Sequence, residues 1–505
     1  MPRRLLALSC SLAALASTLG AGPSTANTKP VVHKPPVTAP APAAHAWVTT
    51  PDRRFALSDL GRIPFRTGPV PAQETIMVDT TRTYQTMDGF GASLTGSAAA
   101  VISGLDRTRR NALMATLFGP GTGNSLSYLR QPMGASDFVV GPAYSYDDLP
   151  AGQTDFAMAH FTIARDQRQI LPLLRQARAL NPRLKIMATP WSTPAWMKTS
   201  QSLTSGRLLD DPRVYRAYAA YFLRFLQAYA AAGVPVDAVT VQNEPQSGAP
   251  GGYPAMDMPI AQQIAFIDVL GPALRAAKLT TKIVAFDHNW GVHPNDVGAE
   301  TDYAARVLSS GAARWIAGAA FHCYSGDPSA QSALRARFPD KGVWFTECSG
   351  SHAASDTPAQ VFSSTLTWHA RNLVVGAPRN WARTVVTWNL ALDPSGGPHT
   401  GGCSTCSGMV TVGPGQRVRL NAEYYALGHA SRFVQPGARR VTSTDPGGLL
   451  NVAFRNPDGS VALIVHNDRG TPRTLAVTSS GRSFATTLPA GALATFTWVP
   501  SAATG

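Results

Sequence analysis

From Met87 onward, short apolar runs alternate with longer stretches in which apolar residues recur at three- and four-residue intervals. That alternation predicts parallel strands joined by crossover helices. Eight segments qualify as strands: residues 87–92, 125–133, 184–189, 238–242, 282–286, 317–321, 342–345 and 384–388. The stretch between the third and fourth carries its own helix signals. Asp211-Pro212 supplies an N-cap and a first-turn proline, Tyr218, Phe222, Phe225 and Tyr229 recur at helical spacing, and Gly233 ends the run. The aromatic stripe is expected to pack in the core. Eight such units predict an α/β fold class, a (β/α)8 TIM barrel with enlarged loops over residues 87–433.

After an eighth helix around residues 423–433 the pattern changes. Residues 440–444, 449–454, 461–466, 473–478 and 492–498 are β-rich and separated by Gly, Pro, Asn and Asp turns, the pattern of an attached antiparallel β-sandwich over 434–500. Residues 75–86 are also strand-like, so 47–86 is expected to add N-terminal strands to that sandwich. Ahead of it, Arg3-Arg4, an apolar run from Leu5 and a small-residue site at Ser24-Thr25-Ala26 read as a signal peptide over 1–26. Residues 27–46 are Pro/Ala-rich without apolar period and read as a linker, with order expected from Trp47. No later apolar run is long enough for a transmembrane segment. The expected location is therefore secreted, extracellular or periplasmic.

Composition adds bounds. A chain of 505 residues, 44% hydrophobic and 15% charged, is globular and can bury a large core plus a smaller one. The formal net charge of +14 is spread along the chain without a Lys/Arg block, which argues for solubility and against a nucleic-acid partner. Removal of the signal, with Cys10, would leave Cys323, Cys348, Cys403 and Cys406. Cys403-x-x-Cys406 in a Gly-rich loop favours a local disulfide, since a zinc ribbon needs a second such pair.

In a barrel of this kind the chemistry gathers at the C-terminal strand ends. The second strand carries Arg130 and leads to Asp137, the third ends in Pro190-Trp191, and the fourth in Asn243-Glu244-Pro245. The fifth ends in Asp287-His288, the sixth in His322-Cys323-Tyr324, the seventh in Glu347-Cys348, and the eighth in Trp388-Asn389. Glu244 and Glu347, 103 residues apart in sequence, would face one another across the mouth. Two carboxyl groups so placed suit glycoside hydrolysis, one protonating the leaving oxygen while the other attacks the anomeric carbon. Aromatic neighbours offer a platform for sugar faces.

These passages resemble family 30 of the glycoside hydrolases, which contains glucosylceramidases and endo-β-1,6-glucanases. The resemblance rests on MDGFGASLTGSAA (87–99), LRQPMGASDF (129–138), KIMATPWSTPAWMKT (185–199), TVQNEP (240–245), FHCYSG (321–326), WFTECSG (344–350) and TWNLALDPSGGP (387–398), and it covers about residues 47–500. It implies that Glu244 is the general acid/base and Glu347 the nucleophile of a retaining β-glycosidase that uses neither cofactor nor metal. It also assigns Asp137, Trp191, Asn243 and Trp388 to the sugar pocket. The stretch from His399 to Cys403 replaces a longer aromatic and charged loop of the animal enzymes, leaving β-glucan, a β-glucoside oligosaccharide or glucosylceramide open as substrate.

Around that pair, Glu244 is expected to have a raised pKa and Glu347 to stay ionised beside Arg130 and Tyr324. His322 is balanced between a substrate contact and a supporting role, and lacks a partner ligand at metal-binding spacing. Trp191 and Trp388 are expected to stack on sugar and Trp196 to pack in the barrel top. Asp287-His288 reads mainly as rim polarity. Cys323 and Cys348 are expected to be buried thiols, because neighbouring parallel strands offer poor disulfide geometry. Two rival classes fare worse. A non-catalytic carbohydrate-binding protein has no use for both glutamates, and a serine or zinc hydrolase would need the G-x-S-x-G or H-E-x-x-H motif that the sequence lacks.

Overall fold

A computed structural model of the protein describes residues 42–247, 252–296 and 298–500. The signal peptide and most of the linker lie outside the described residues. Eight parallel strands close a barrel in sequence order. They are β1 (Gly89–Ser93), β2 (Tyr128–Pro132), β3 (Lys185–Thr189), β4 (Ala238–Thr240), β5 (Lys282–Asn289), β6 (Ile316–His322), β7 (Gly342–Glu347) and β8 (Ala382–Thr387). Each overlaps one of the eight segments expected from the apolar pattern.

Strand alternation fills the barrel in layers. Tyr128, Met187, Ala238, Val284, Ala320, Trp344 and Val386, one from each of β2 to β8, make an apolar layer inside it. Two residues further along come Arg130, Thr189, Thr240, His322 and Thr346, with Phe286 and Trp388 as the two exceptions, so the next layer toward the mouth is largely polar. The helix Pro212–Ala231 lies outside the barrel; the Asp211 carboxylate accepts from the Arg213 N–H, and the stripe Tyr218, Phe222, Phe225 and Tyr229 is wholly buried. Tyr218 and Phe222 pack on Phe266 of the next helix.

The second domain is one ten-stranded sheet curled around its own core. Its strand order is Ser58–Pro64, Ala43–Thr49, Leu493–Trp498, Val461–Asn467, Leu449–Arg455, Arg439–Ser443, Glu74–Thr86, Arg473–Ser479, Arg482–Leu488 and Arg66–Thr67. Three features differ from the sequence reading. Ala43–Thr49 is a strand that pairs with Leu493–Trp498, so order begins ahead of Trp47 and takes in the end of the expected linker. Arg482–Leu488 is an additional strand. Glu74–Thr86 pairs antiparallel with Arg439–Ser443 but parallel with Arg473–Ser479, so the sandwich is mixed. The Ala43–Thr49 strand was hidden because its alanines give little apolar contrast, and its pairing comes from the far end of the chain.

Alternation also joins the two domains. Ala453, Leu463 and Val465 point into the sandwich core, whereas Val452, Phe454 and Ile464 belong to the core shared with the barrel. That two-sided burial explains why the strand Val461–Asn467 is buried along its whole length. The helix Ala422–Ser431 lies at the seam, where the buried His429 ring bonds Thr495 Oγ1 and Thr49 Oγ1 at 2.9 Å each. Among the described residues no helix is long and apolar enough to cross a membrane.

Candidate active site

The polar layer converges on Asp287. Its carboxylate accepts from Arg130 Nη2 (2.8 Å), Thr240 Oγ1 (2.7 Å), Thr346 Oγ1 (2.7 Å) and His322 Nε2 (3.1 Å), and it is fully buried. Phe286 and Asp287 have φ of +72° and +64°, in the left-handed region that β-branched and bulky residues avoid. The register between β5 and β6 slips beside them. This local distortion turns the Asp287 side chain into the mouth, where plain alternation did not require it. Sequence reasoning gave Asp287-His288 the rim. The available signal was two adjacent polar residues at the end of a strand whose seven partners also end in polar or aromatic groups.

Arg130, fully buried, spans the site. Nη1 donates to Glu347 Oε2 at 2.5 Å and Nη2 to Asn243 Oδ1 at 2.7 Å as well as to Asp287. Its guanidinium carbon lies 4.7 Å from the ring centre of Trp191 and 5.8 Å from that of Trp388. Those two rings stack on each other, centroids 5.1 Å apart. Both line the cavity at the strand ends, yet part of their aromatic surface is spent on each other and on Arg130. Trp196 packs in the barrel top, as expected from sequence, with Nε1 donating to Asp147 at 2.9 Å.

Glu347 sits at the end of β7, where Tyr324 O–H donates to Oε1 at 2.9 Å. Glu244 lies four residues past β4, fixed by its backbone N–H to Asp287 O at 3.0 Å, and its φ of +42° is also left-handed. His322 Nδ1 lies 2.9 Å from Glu244 Oε1, and His288 Nδ1 3.8 Å from the same oxygen. Glu244, His322 and Glu347 each offer one ligand atom, all within 4.8 Å of one another. That spacing could hold a divalent cation. However, these groups are already engaged with one another, with Asp287 and with Tyr324, and the neighbouring Arg130 charge opposes a second cation.

The charges in this layer are strongly coupled. Burial lowers the basicity of His322, but the charges of Glu347 and Asp287 and the bonds to Asp287 and Glu244 outweigh it and raise it to about 9. Burial pushes Glu244 up, and the bonds and charges of His288 and His322 overcome that and hold it below the ordinary glutamate range. For Glu347, burial prevails over His322 and Arg130 and leaves it raised. These directions reverse the expected tuning. The geometry favours the ionised form of the Glu244–His322 pair, because His322 lies between two carboxylates and Glu244 beside two histidines.

Asp137 is 8% exposed, and burial followed by the charges of Glu347 and Glu244 raises it well above the carboxylate range. Among the described residues its Oδ1 has no partner. The loop 399–407 closes over it, with Thr400 N–H donating to Asp137 O at 2.7 Å. Gly402 comes so near that a Cβ there would stand 2.4 Å from Asp137 Oδ2. Of the site residues expected from sequence, all but Arg130 and His322 line one cavity of about 770 Å3, within the range of small-molecule sites.

Two disulfides brace the mouth. Cys403–Cys406 ties the loop after β8, in line with expectation. Cys323–Cys348 contradicts the expected buried thiols: the Cα atoms are 5.4 Å apart, within disulfide range. A register slip between Phe321 and His322 pairs His322 with Glu347, and the two cysteines are the next residues, where both chains have left the sheet. The constraint of parallel pairing no longer applies there.

Known proteins fit this geometry. The sequence profile of the glycosyl hydrolase family 30 TIM-barrel domain matches residues 87–434, and that of the family 30 β-sandwich domain matches residues 437–496. An endo-1,6-β-D-glucanase of Trichoderma harzianum is 32% identical over 96% of this chain and 99% of its own. The lysosomal acid glucosylceramidase of Mus musculus is 29% identical over 82% of this chain and 81% of its own. Among solved structures, an endo-β1,6-glucanase superposes with a TM-score of 0.82 at 31% identity, covering 91% of this chain and all of that one. With both domains matched in order, this chain belongs to glycosyl hydrolase family 30.

Proposed function

We propose that the protein is a secreted retaining β-glucosidic hydrolase acting on β-1,6-linked glucan, with Glu347 as nucleophile and Glu244 as general acid/base. The observation that carries the mechanism is the spacing of the pair. Retaining enzymes hold their carboxyl groups about 5–5.5 Å apart and inverting ones about 6.5–9.5 Å, and here one oxygen of each lies within 4.8 Å of the other. In the first step Glu347 bonds to the anomeric carbon as the glycosidic C–O bond breaks, and Glu244 delivers a proton to the departing oxygen. That proton comes from His322 Nδ1–H, in contact with Glu244 Oε1, and passes through the carboxylate as the leaving oxygen becomes basic, so Glu244 ends the step as carboxylate and His322 as neutral imidazole. In the second step water attacks the same carbon, gives its proton to Glu244, and releases Glu347 as carboxylate.

Asn243, whose Oδ1 is held by Arg130, keeps its Nδ2 for the hydroxyl beside the reacting carbon. Asp137, whose Oδ1 has no partner among the described residues, offers hydrogen bonds to hydroxyls farther round the ring. Both contacts can tighten as the ring distorts. The glucan reading is supported by the relatives named as endo-1,6-β-glucanases, which match along nearly the whole chain, and secretion by the signal pattern of residues 1–26.

The test is kinetic. Glu347→Gln is expected to abolish hydrolysis of an aryl β-glucoside. Glu244→Gln should retain activity on aryl glucosides with good leaving groups, gain rate with added azide, and lose the natural substrate. A first-formed product of inverted anomeric configuration by NMR would overturn retention. Release of glucose from glucosylceramide with no new reducing ends from β-1,6-glucan would overturn the substrate.

A further inference from the structure

The catalytic cavity does not end at the glutamates. Its glycone wall is built from β2, β3 and β8 through Asp137, Trp191 and Trp388. The acid Glu244, by contrast, is held by His288 and His322 from β5 and β6, so the leaving group exits toward β5–β7. On that side the cavity extends along the loop after β7 to the helix Pro358–His369 and is lined there by Ser351, Ser364 and Trp368. Among the described residues the large apolar side chains left exposed include three aromatics, Tyr324, Phe156 and Trp368. Phe156 packs edge-on against Trp196, outside this cavity. Tyr324 and Trp368 both line it, and Trp368 is 38% exposed.

Its distance from the chemistry is bounded by the chain. Gly350 follows Glu347 by three residues, so it lies within about 11 Å of it. A Cβ on Gly350 would lie 3.0 Å from the Thr365 methyl, so the helix is pressed against that point. Trp368 is one helical turn beyond Thr365, and Ser364, four residues before Trp368, shares its face. The Ser364 hydroxyl donates to Gln360 O at 2.8 Å, which leaves its lone pairs free as acceptors toward the cavity. A part-exposed indole beside a polar acceptor, one turn from the loop after β7, is the chemistry that receives the apolar face and rim hydroxyls of a sugar.

We propose that Trp368 and Ser364 form a second sugar-binding platform, which takes a glucosyl ring of the leaving group beyond the bond being cut. This rests on the glycosidase reading of Glu244 and Glu347, and it makes the enzyme prefer oligosaccharides to simple glucosides. The test compares wild type, Trp368→Ala and Trp368→Phe on an aryl β-glucoside and on gentio-, laminari-, cello- and xylo-oligosaccharides of two to five units. The expected result is a kcat/KM that rises with chain length in the wild type. For Trp368→Ala it falls about tenfold on the longer members, mainly through KM, with the aryl glucoside unchanged. Trp368→Phe should recover part of the loss.

No chain-length gain in any series for the wild type would overturn the platform while leaving the hydrolase reading, which rests on Glu347→Gln, in place. An equal loss on the aryl glucoside would also overturn it, assigning Trp368 a general structural role. Inactivity of the wild type on every substrate, aryl glucoside included, would overturn both.

Discussion

The Cys323–Cys348 bridge sits between the residues that touch Glu244 and Glu347, the pair proposed to carry the chemistry. His322 and Tyr324 flank one half-cystine and Glu347 precedes the other, so the Cys323→Ala, Cys348→Ala double variant should affect stability and turnover together. The bridged residues are 25 apart, for which the loop-closure relation gives about 3.5 kcal/mol at 25 °C. The three-residue separation of Cys403 and Cys406 gives only about 1.6 kcal/mol by the same relation. Unfolding entropy near about 2.1 cal/mol/K per residue means that a unit of this length loses on the order of 1 kcal/mol per degree at its midpoint. The double variant should therefore melt about 3–4 °C below the wild type in a calorimetric scan. Turnover should suffer because Tyr324 O–H to Glu347 Oε1 spans two strand ends whose spacing the bridge fixes; a loss of about tenfold in kcat on an aryl glucoside, with KM nearly constant, corresponds to about 1.4 kcal/mol in the transition state. A variant with an unchanged melting temperature and an unchanged kcat would refute both parts. Unchanged kcat with the full thermal loss would refute the positioning argument alone.

Two further substitutions probe the walls of the site. Gly402→Ala puts a methyl group 2.4 Å from Asp137 Oδ2 on a backbone at φ +69°, so kcat/KM on the aryl glucoside should fall at least about tenfold while the melting temperature moves little; wild-type kinetics would show that the loop does not press on Asp137. Glu423, buried beneath the loop after β8 and receiving the Ser407 hydroxyl, is raised by burial to about 7. A carboxyl raised on folding keeps its proton where the unfolded chain has lost it, so stability falls as pH rises from about 4.5 to about 7 and then levels, a drop on the order of 3 kcal/mol. Glu423→Gln should flatten that part of the stability profile measured by denaturant titration, and an unaltered slope would refute the assignment.

The pattern of apolar runs by itself determined the barrel, because each strand and helix must bury one face and the period of that face is written locally. It also determined the two glutamates and the aromatic strand ends, since a closed barrel sends every strand end to one mouth. Sequence left Asp287 at the rim, because its entry into the polar layer depends on two left-handed backbone residues and a register slip that no local pattern encodes. The Cys323–Cys348 bridge was equally hidden, since it forms where two chains leave the sheet side by side. The parallel pairing of Glu74–Thr86, the strand Ala43–Thr49 and the placement of the Glu244–His322 proton likewise depend on groups distant in sequence. Register, burial and the sum of neighbouring charges exist only once the chain has closed, and those are what the tertiary structure decided.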